Sequence, residues 1–251
     1  MRRVSVAVPV ARAEEARAQM LELFPAGFEE VDRTDGIELV AYTDAGGEER
    51  LWHAFGGARG EDVAADWRER WKEFHRPVRV GPLWIGPSWY EPPADATPIV
   101  IEPGRAFGTG AHPTTQLCIE LLLELERGSV VDLGCGSGVL AIVAAKLGFS
   151  PVIALDADES AVSATASNAA ANGVEVAARR LDVLAEEVPA TDVALANITR
   201  PALEGVAPRL RCAWLVSSGY LPTDRQPLPA FHHLRRITRS GWAADLYEAA
   251  E

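Results

Sequence analysis

Asp132-Leu133-Gly134-Cys135-Gly136-Ser137-Gly138 is the stretch on which the fold turns. With Val130 and Val131 before it, the first half is a short apolar run of the kind that forms a buried strand. Ser137–Leu147 then has the composition of a helix, ending at Gly148. A strand that enters a glycine-rich turn and leaves as a helix is a general nucleotide cradle. Glycine lets the backbone approach a ligand closely, and the first turn of the helix offers unpaired N–H groups.

Two details select the ligand. A dinucleotide site requires GxGxxG, whereas Gly134, Gly136 and Gly138 form GxGxG and Val139 stands at the third dinucleotide position. Asp132 also lies immediately before the turn, where a carboxylate repels a pyrophosphate and favours a cation. S-adenosylmethionine carries both a sulfonium and an ammonium charge, and it is the expected cofactor.

Outward from the turn, the chain alternates strand and helix. Val152–Asp156 is the next strand, Asp158 caps a helix reaching Asn172, and Gly173 supplies a residue able to adopt positive φ just beyond its end. Val174–Leu181, Asp192–Ile198 and Ala213–Ser217 read as three more strands. This alternation predicts an α/β fold with a doubly wound, Rossmann-like parallel sheet. Asp156 follows Gly134 by 22 residues at a strand end, the place from which a carboxylate accepts hydrogen bonds from ribose hydroxyls. Asp182 ends the third strand in the same fashion and is expected near the adenine amino group. Asn197 ends the fourth strand at the crevice where open α/β sheets bind ligands, with both a donor and an acceptor to offer. Each of these three also has an ordinary role as a turn residue.

Before this region the order differs. Residues 4–10 alternate as a strand, 13–24 carry Ala16, Met20, Leu21 and Phe24 at helical spacing, and Phe28–Asp32 and Ile37–Thr43 read as strands. Thr34-Asp35-Gly36 joins the last two, and Gly46-Gly47 makes a further turn. A small N-terminal α+β domain is therefore expected over 1–55, a linker with a short helix over 56–98, and the cofactor-binding domain over 99–251. The linker helix is Asp66–Arg76, and Pro77, Pro82, Pro87, Pro92 and Pro93 mark an extended connector behind it. Residues 67–80 hold five Lys/Arg, two Glu and three interleaved aromatics. That pattern fits either RNA contact or tryptophans packed on a neighbouring domain.

Composition bounds the rest. The 251 residues are 48% hydrophobic, and no window approaches 18 uninterrupted apolar residues, so no membrane span is expected. The opening residues Met1-Arg2-Arg3 precede an apolar run too short for a signal peptide, and they read as the start of a strand. Cys118, Cys135 and Cys212 are scattered and odd in number, which implies neither a metal site nor disulfides but packing thiols in a reducing, cytoplasmic compartment. A net charge of −12 disfavours stable nucleic-acid binding, suits a basic partner, and also simply keeps a protein soluble. A monomer is expected.

The most unusual segment is Ile101–Thr115, which includes Pro103, Ala106-Phe107-Gly108-Thr109-Gly110, His112 and Thr114-Thr115. It has no hydrophobic periodicity and suits a loop over a ligand, with Thr114 or Thr115 capping a helix Gln116–Leu125. His112 is a candidate base or a structural loop residue.

This segment, with Trp67, Trp71, Pro77, Gly81 and Pro87-Ser88-Trp89 ahead of it, resembles the PrmA family. So do Asp132–Ile142 and Ala196-Asn197-Ile198. These are bacterial methyltransferases of the eleventh large-subunit ribosomal protein. The resemblance runs from about 67 to 200. It implies S-adenosylmethionine-dependent N-methylation of lysine ε-amines and an N-terminal α-amine in that basic ribosomal protein, with residues 1–55 recognising the substrate. It further implies cofactor contacts from Thr115, Gly134, Asp156 and Asn197, and a loop of Phe107, Gly108 and Thr109 over the cofactor. Departures from the family lie in the proline-rich, weakly patterned Leu221–His233 and around Ser240-Gly241-Trp242, which is only loosely similar to the family's final hairpin. Three alternatives remain: lysine methylation of another protein, methylation of an RNA base, and a non-catalytic binding module. The RNA-base enzymes resemble a pattern of Asn-Pro-Pro-aromatic after the fourth strand, where this chain has Asn197-Ile198-Thr199-Arg200.

Overall fold

A computed structural model describes residues 2–9, 12–24, 27–33, 36–62, 75–102, 108–224 and 227–250. The expected helix Asp66–Arg76 falls almost wholly outside the described residues, as do Thr34, Asp35 and Phe107. The chain forms two compact units, Met1–Phe74 and His75–Glu251.

The first unit runs β1 Arg2–Val8, α1 Ala13–Leu23, β2 Glu29–Arg33, β3 Gly36–Thr43, α2 Ala45–Phe55 and β4 Arg59–Asp62. Its antiparallel sheet has the order β2-β3-β1-β4, the ferredoxin-like arrangement. Val4 and Val8 on β1 alternate into one face with Ile37, Leu39 and Ala41 of β3. Ala16 and Met20 from α1 and Leu51 from α2 complete this core. The helix α2 is a correction, since Gly46-Gly47 reads as a turn. The Asp44 carboxylate accepts from Gly47 N at 2.9 Å as the N-cap, Gly56 closes the helix at φ +72°, and Leu51 is fully buried. Capping and one buried leucine outweigh the propensity cost of two glycines, which fall in the first turn where intrahelical bonds are fewest.

The second unit begins with a three-stranded sheet of β5 Val78–Val80, β6 Leu83–Gly86 and β7 Thr97–Val100. The proline-punctuated connector is thus built into the unit. Pro77, Pro82 and Pro87 stand at strand boundaries, and Val80, Leu83, Ile85 and Ile99 join the main core.

There follow α3 Pro113–Leu122, β8 Val130–Leu133, α4 Val139–Lys146, β9 Val152–Asp156, α5 Glu159–Ala171, β10 Ala177–Arg180, β11 Val193–Asn197 and α6 Arg200–Val206. The chain ends with β12 Trp214–Tyr220, β13 Phe231–Arg239 and β14 Trp242–Ala249. The large sheet has the order β10-β9-β8-β11-β12-β14-β13. Its first five strands are mutually parallel, β14 runs antiparallel to β12, and the edge strand β13, antiparallel to β14, runs with the first five. Successive residues of the central strands enter opposite cores: Val193 and Leu195 pack with α3 and α4, Ala194 and Ala196 with α6. Burial on both faces explains why these strands read as continuous apolar runs.

The chain reverses its direction of build between β8 and β11, so the crevice at a topological switch point lies beyond Leu133 and Asn197. The C-terminal hairpin supplies an ordered edge where the sequence is weakly patterned. Ser240 and Gly241 take φ +48° and +78°, the two-residue turn whose twist matches a hairpin. Among the described residues, no helix is long and apolar enough to cross a membrane.

Candidate active site

The glycine turn is tied to its neighbouring strand. Gly134 N and Cys135 N both donate to the Leu155 carbonyl, at 2.8 and 3.0 Å. Glycine is required at two positions. A Cβ on Gly134 (φ +69°) would lie 2.7 Å from Ile198 Cγ2, and one on Gly138 (φ +80°) would lie 2.6 Å from Thr165 Cγ2. Gly138 is also the N-cap of α4 and has no side chain to offer the helix.

Asp132 takes over that duty from the preceding strand. Its Oδ2 accepts from Ala141 N, the third residue of α4, at 3.2 Å. Asp132 is only 2% exposed, and no described cationic side chain is paired with it. Burial pushes its carboxyl up to about 7, with the Ala141 bond opposing and the neighbouring Asp156 charge adding to the rise.

Asp156, at the end of β9, folds back over the turn. Its Oδ2 accepts from Gly136 N and its Oδ1 from Asp158 N, both at 3.0 Å. Asp158 caps α5 through Ser160 N at 2.8 Å, and Gly173 beyond that helix takes φ +63°. Across the switch point, Asn197 Nδ2 donates to Thr115 Oγ1 at 3.3 Å, which brings the end of β11 to the first turn of α3. Gly108 enters the same assembly because its carbonyl accepts from the Ser137 hydroxyl, and Thr109 follows it, partly exposed.

Two expectations change. The cap of α3 is His112, not Thr114 or Thr115, and the helix starts at Pro113. Thr114 N donates to His112 Nδ1 at 3.4 Å, the same nitrogen lies 2.7 Å from Thr114 Oγ1, and the ring meets Trp242 edge-on with centroids 4.9 Å apart. Burial holds the imidazole below its ordinary pKa. These contacts give His112 a structural place. Asp182 lies two residues beyond β10, which is shorter than the strand read from sequence. It is exposed and closes a turn, its Oδ1 accepting from Leu184 N at 2.9 Å. Leu181 N, one residue earlier, donates to the Asp156 carbonyl at 2.9 Å, so Asp182 follows the same sheet edge.

Sequence reasoning missed Thr165 and Asn168. Thr165 Oγ1 donates to the Gly136 carbonyl at 3.1 Å, and Asn168 Nδ2 to the Ser137 carbonyl at 2.9 Å. The available signal was polar residues at helical spacing within an alanine-rich segment.

Comparison with known proteins places this geometry in a family. The model described as ribosomal protein L11 methyltransferase (PrmA) matches residues 15–226. The ribosomal protein L11 methyltransferase of Pasteurella multocida is 46% identical over 154 residues, which is 58% of this chain and 52% of that protein. Its counterpart in Vibrio parahaemolyticus is 42% identical over 180 residues, which is 66% of this chain and 60% of that protein. The chain therefore spans between about half and three fifths of the length of these curated relatives. A crystal structure of ribosomal protein L11 methylase from Lactobacillus delbrueckii subsp. bulgaricus superposes with a TM-score of 0.64 at 26% identity. The superposition covers 71% of this chain and all of that one. The match over most of its length shows that this chain belongs to the ribosomal protein L11 methyltransferase (PrmA) family.

Proposed function

We propose that the chain is an S-adenosylmethionine-dependent protein N-methyltransferase acting on lysine ε-amines and the N-terminal α-amine of ribosomal protein L11. The observation that carries this is the buried carboxylate of Asp132 beneath the glycine turn, without a cationic partner among the described residues. That arrangement fits a cationic ligand and disfavours a pyrophosphate. The family's relatives are ribosomal protein L11 methyltransferases by name, and a net charge of −12 suits a basic substrate. A ribosomal substrate places the work in the cytoplasm.

When bound, the cofactor supplies a methyl group activated by its sulfonium. The chain's residues bind and orient. Gly134 and Gly136 admit the ligand to the backbone, and Asp156 keeps lone pairs for ribose hydroxyls after meeting Gly136 N and Asp158 N. Asp182, exposed next to the residue that bonds the Asp156 carbonyl, is assigned to the adenine edge. Gly108 stands against the turn through Ser137, and Phe107 and Thr109 of the same loop belong to this set by family resemblance. Asn197 and Thr115, already joined, offer an amide and a hydroxyl where the acceptor must arrive. Holding the amine in line with the methyl supplies most of the rate gain, because the leaving group needs no further activation. A lysine reacts only as the neutral amine, and a partly desolvated site favours that form.

The test is transfer of label from S-adenosylmethionine to purified L11, to other lysine-bearing proteins, or to stripped ribosomal RNA. Labelled L11 is the expected product; label in RNA alone would overturn the reading. Asp156→Ala is expected to abolish cofactor binding by calorimetry, and unchanged binding would remove Asp156 from the site.

A further inference from the structure

A turn that presents its outer side to a ligand directs peptide carbonyls inward, and each of those needs a donor. In this chain the donors come from one helix. Thr165 is fully buried, Asn168 5% exposed and Asn172, the C-cap of α5, 7% exposed; they stand at i, i+3 and i+7 and so share a face. Thr165 serves the Gly136 carbonyl and Asn168 the Ser137 carbonyl. The other end of the Asn168 amide accepts from Glu102 N at 3.4 Å. Asn172 uses both ends of its amide on a single residue of β7, accepting from Val100 N at 2.8 Å and donating to Val100 O at 2.6 Å. It thereby occupies the position that a further strand would take.

We propose that Thr165, Asn168 and Asn172 are positioning residues that hold the glycine turn and the segment 100–102 in one fixed arrangement, with Asn168 as the link between them. None touches the reacting atoms. They shape the backbone that does the binding, and removing the link leaves the buried Ser137 without the donor to its carbonyl and takes from Glu102 N the acceptor that Asn168 supplies. The consequence for cofactor affinity rests on the function proposed above; the consequence for the backbone does not.

Two measurements separate the two. In the free protein, Asn168→Ala is expected to speed amide exchange at Glu102 by about 10- to 100-fold. The nearly isosteric Asn168→Asp retains the acceptor for Glu102 N but loses the donor to Ser137 O, so exchange at Glu102 stays close to the parent rate. With S-adenosylmethionine, both variants are expected to raise the cofactor KM about tenfold or more with kcat little changed, the mark of lost uniform binding. The exposed Ser167→Ala on the same helix changes neither quantity. Parent-like exchange at Glu102 and a parent-like KM in Asn168→Ala would overturn the proposal. If Glu102 exchange rises in Asn168→Ala while the parent protein fails to bind S-adenosylmethionine, the positioning row stands and the ligand assignment falls.

Discussion

Two aspartates of the large sheet are equally hidden and oppositely treated. Asp245 on β14 is fully buried and receives five hydrogen bonds: Arg236 Nε and Nη2 at 2.7 Å, His233 Nε2 and Tyr220 OH at 2.8 Å, and Tyr247 OH at 3.3 Å. Burial alone would raise its pKa, but the bonds from Arg236, His233 and Tyr220 outweigh it and hold the carboxyl below its ordinary value. Asp132 on β8 is 2% exposed and has one backbone N–H, so its carboxyl rises to about 7. The first is a finished structural cluster that ties β12, β13 and β14 together. The second is a buried carboxyl without a cationic partner among the described residues, beside a backbone bend, and such a site is tolerated where a ligand completes it.

The largest effect expected from breaking this contrast is at Asp245. Asp245→Ala removes the only carboxylate paired with Arg236 among the described residues and leaves its guanidinium the Pro222 and Asp224 carbonyls at 2.8 and 2.9 Å, and chemical denaturation should register a loss of about 3–5 kcal/mol. A loss below about 1 kcal/mol would mean that the cluster relaxes into water.

Asp132→Asn should behave in the opposite way. Its amide oxygen still accepts from Ala141 N and a buried charge disappears, so stability at neutral pH is expected to hold or rise. S-adenosylmethionine affinity is expected to fall about 10- to 100-fold by calorimetry, the worth of a charge-assisted contact. The pH dependence follows from the raised pKa. The folded state binds the Asp132 proton more tightly than the unfolded chain. Its contribution to stability is therefore full below pH 3.8 and is lost as pH rises through about 7. Denaturation of the two proteins from pH 4 to 8 should show this slope in the parent and not in Asp132→Asn. Asp245 contributes with the other sign: present above pH 3.8 and lost as pH falls through its depressed pKa.

The smallest effect sharpens the site's other wall. His112→Ala removes the cap of α3 and should cost about 1 kcal/mol in thermal melting, with most of it recovered in His112→Asn. A collapse of kcat with unchanged stability would instead make His112 a proton carrier.

The doubly wound core was legible because its strands are buried on both faces and its turn needs glycine. Asp156 was legible from its spacing after Gly134 at a strand end, and Asn197 because a strand end at a switch point has a known orientation. Thr115 and Gly108 came from family resemblance and meet Asn197 and Ser137 in space, which spacing alone does not reveal. Helix α2 was hidden by Gly46-Gly47, whose turn propensity yields to the Asp44 cap and the burial of Leu51. β13 was hidden because it is an edge strand whose residues 232–235 are all exposed, so no alternation marks it. The row Thr165, Asn168 and Asn172 was hidden because polar residues in an alanine-rich helix read as a solvated face, and only the neighbouring carbonyls show why they are buried.

The most direct measurement is titration calorimetry of S-adenosylmethionine near pH 7 in two buffers of different ionisation enthalpy, for the parent and for Asp132→Asn, with a nicotinamide dinucleotide as the competing ligand. The expected result is binding of the sulfonium nucleoside with more proton release in the parent than in the variant, weaker binding in the variant, and no dinucleotide binding. Equal affinity and equal proton exchange in the two proteins, or a dinucleotide bound over the glycine turn, would contradict it.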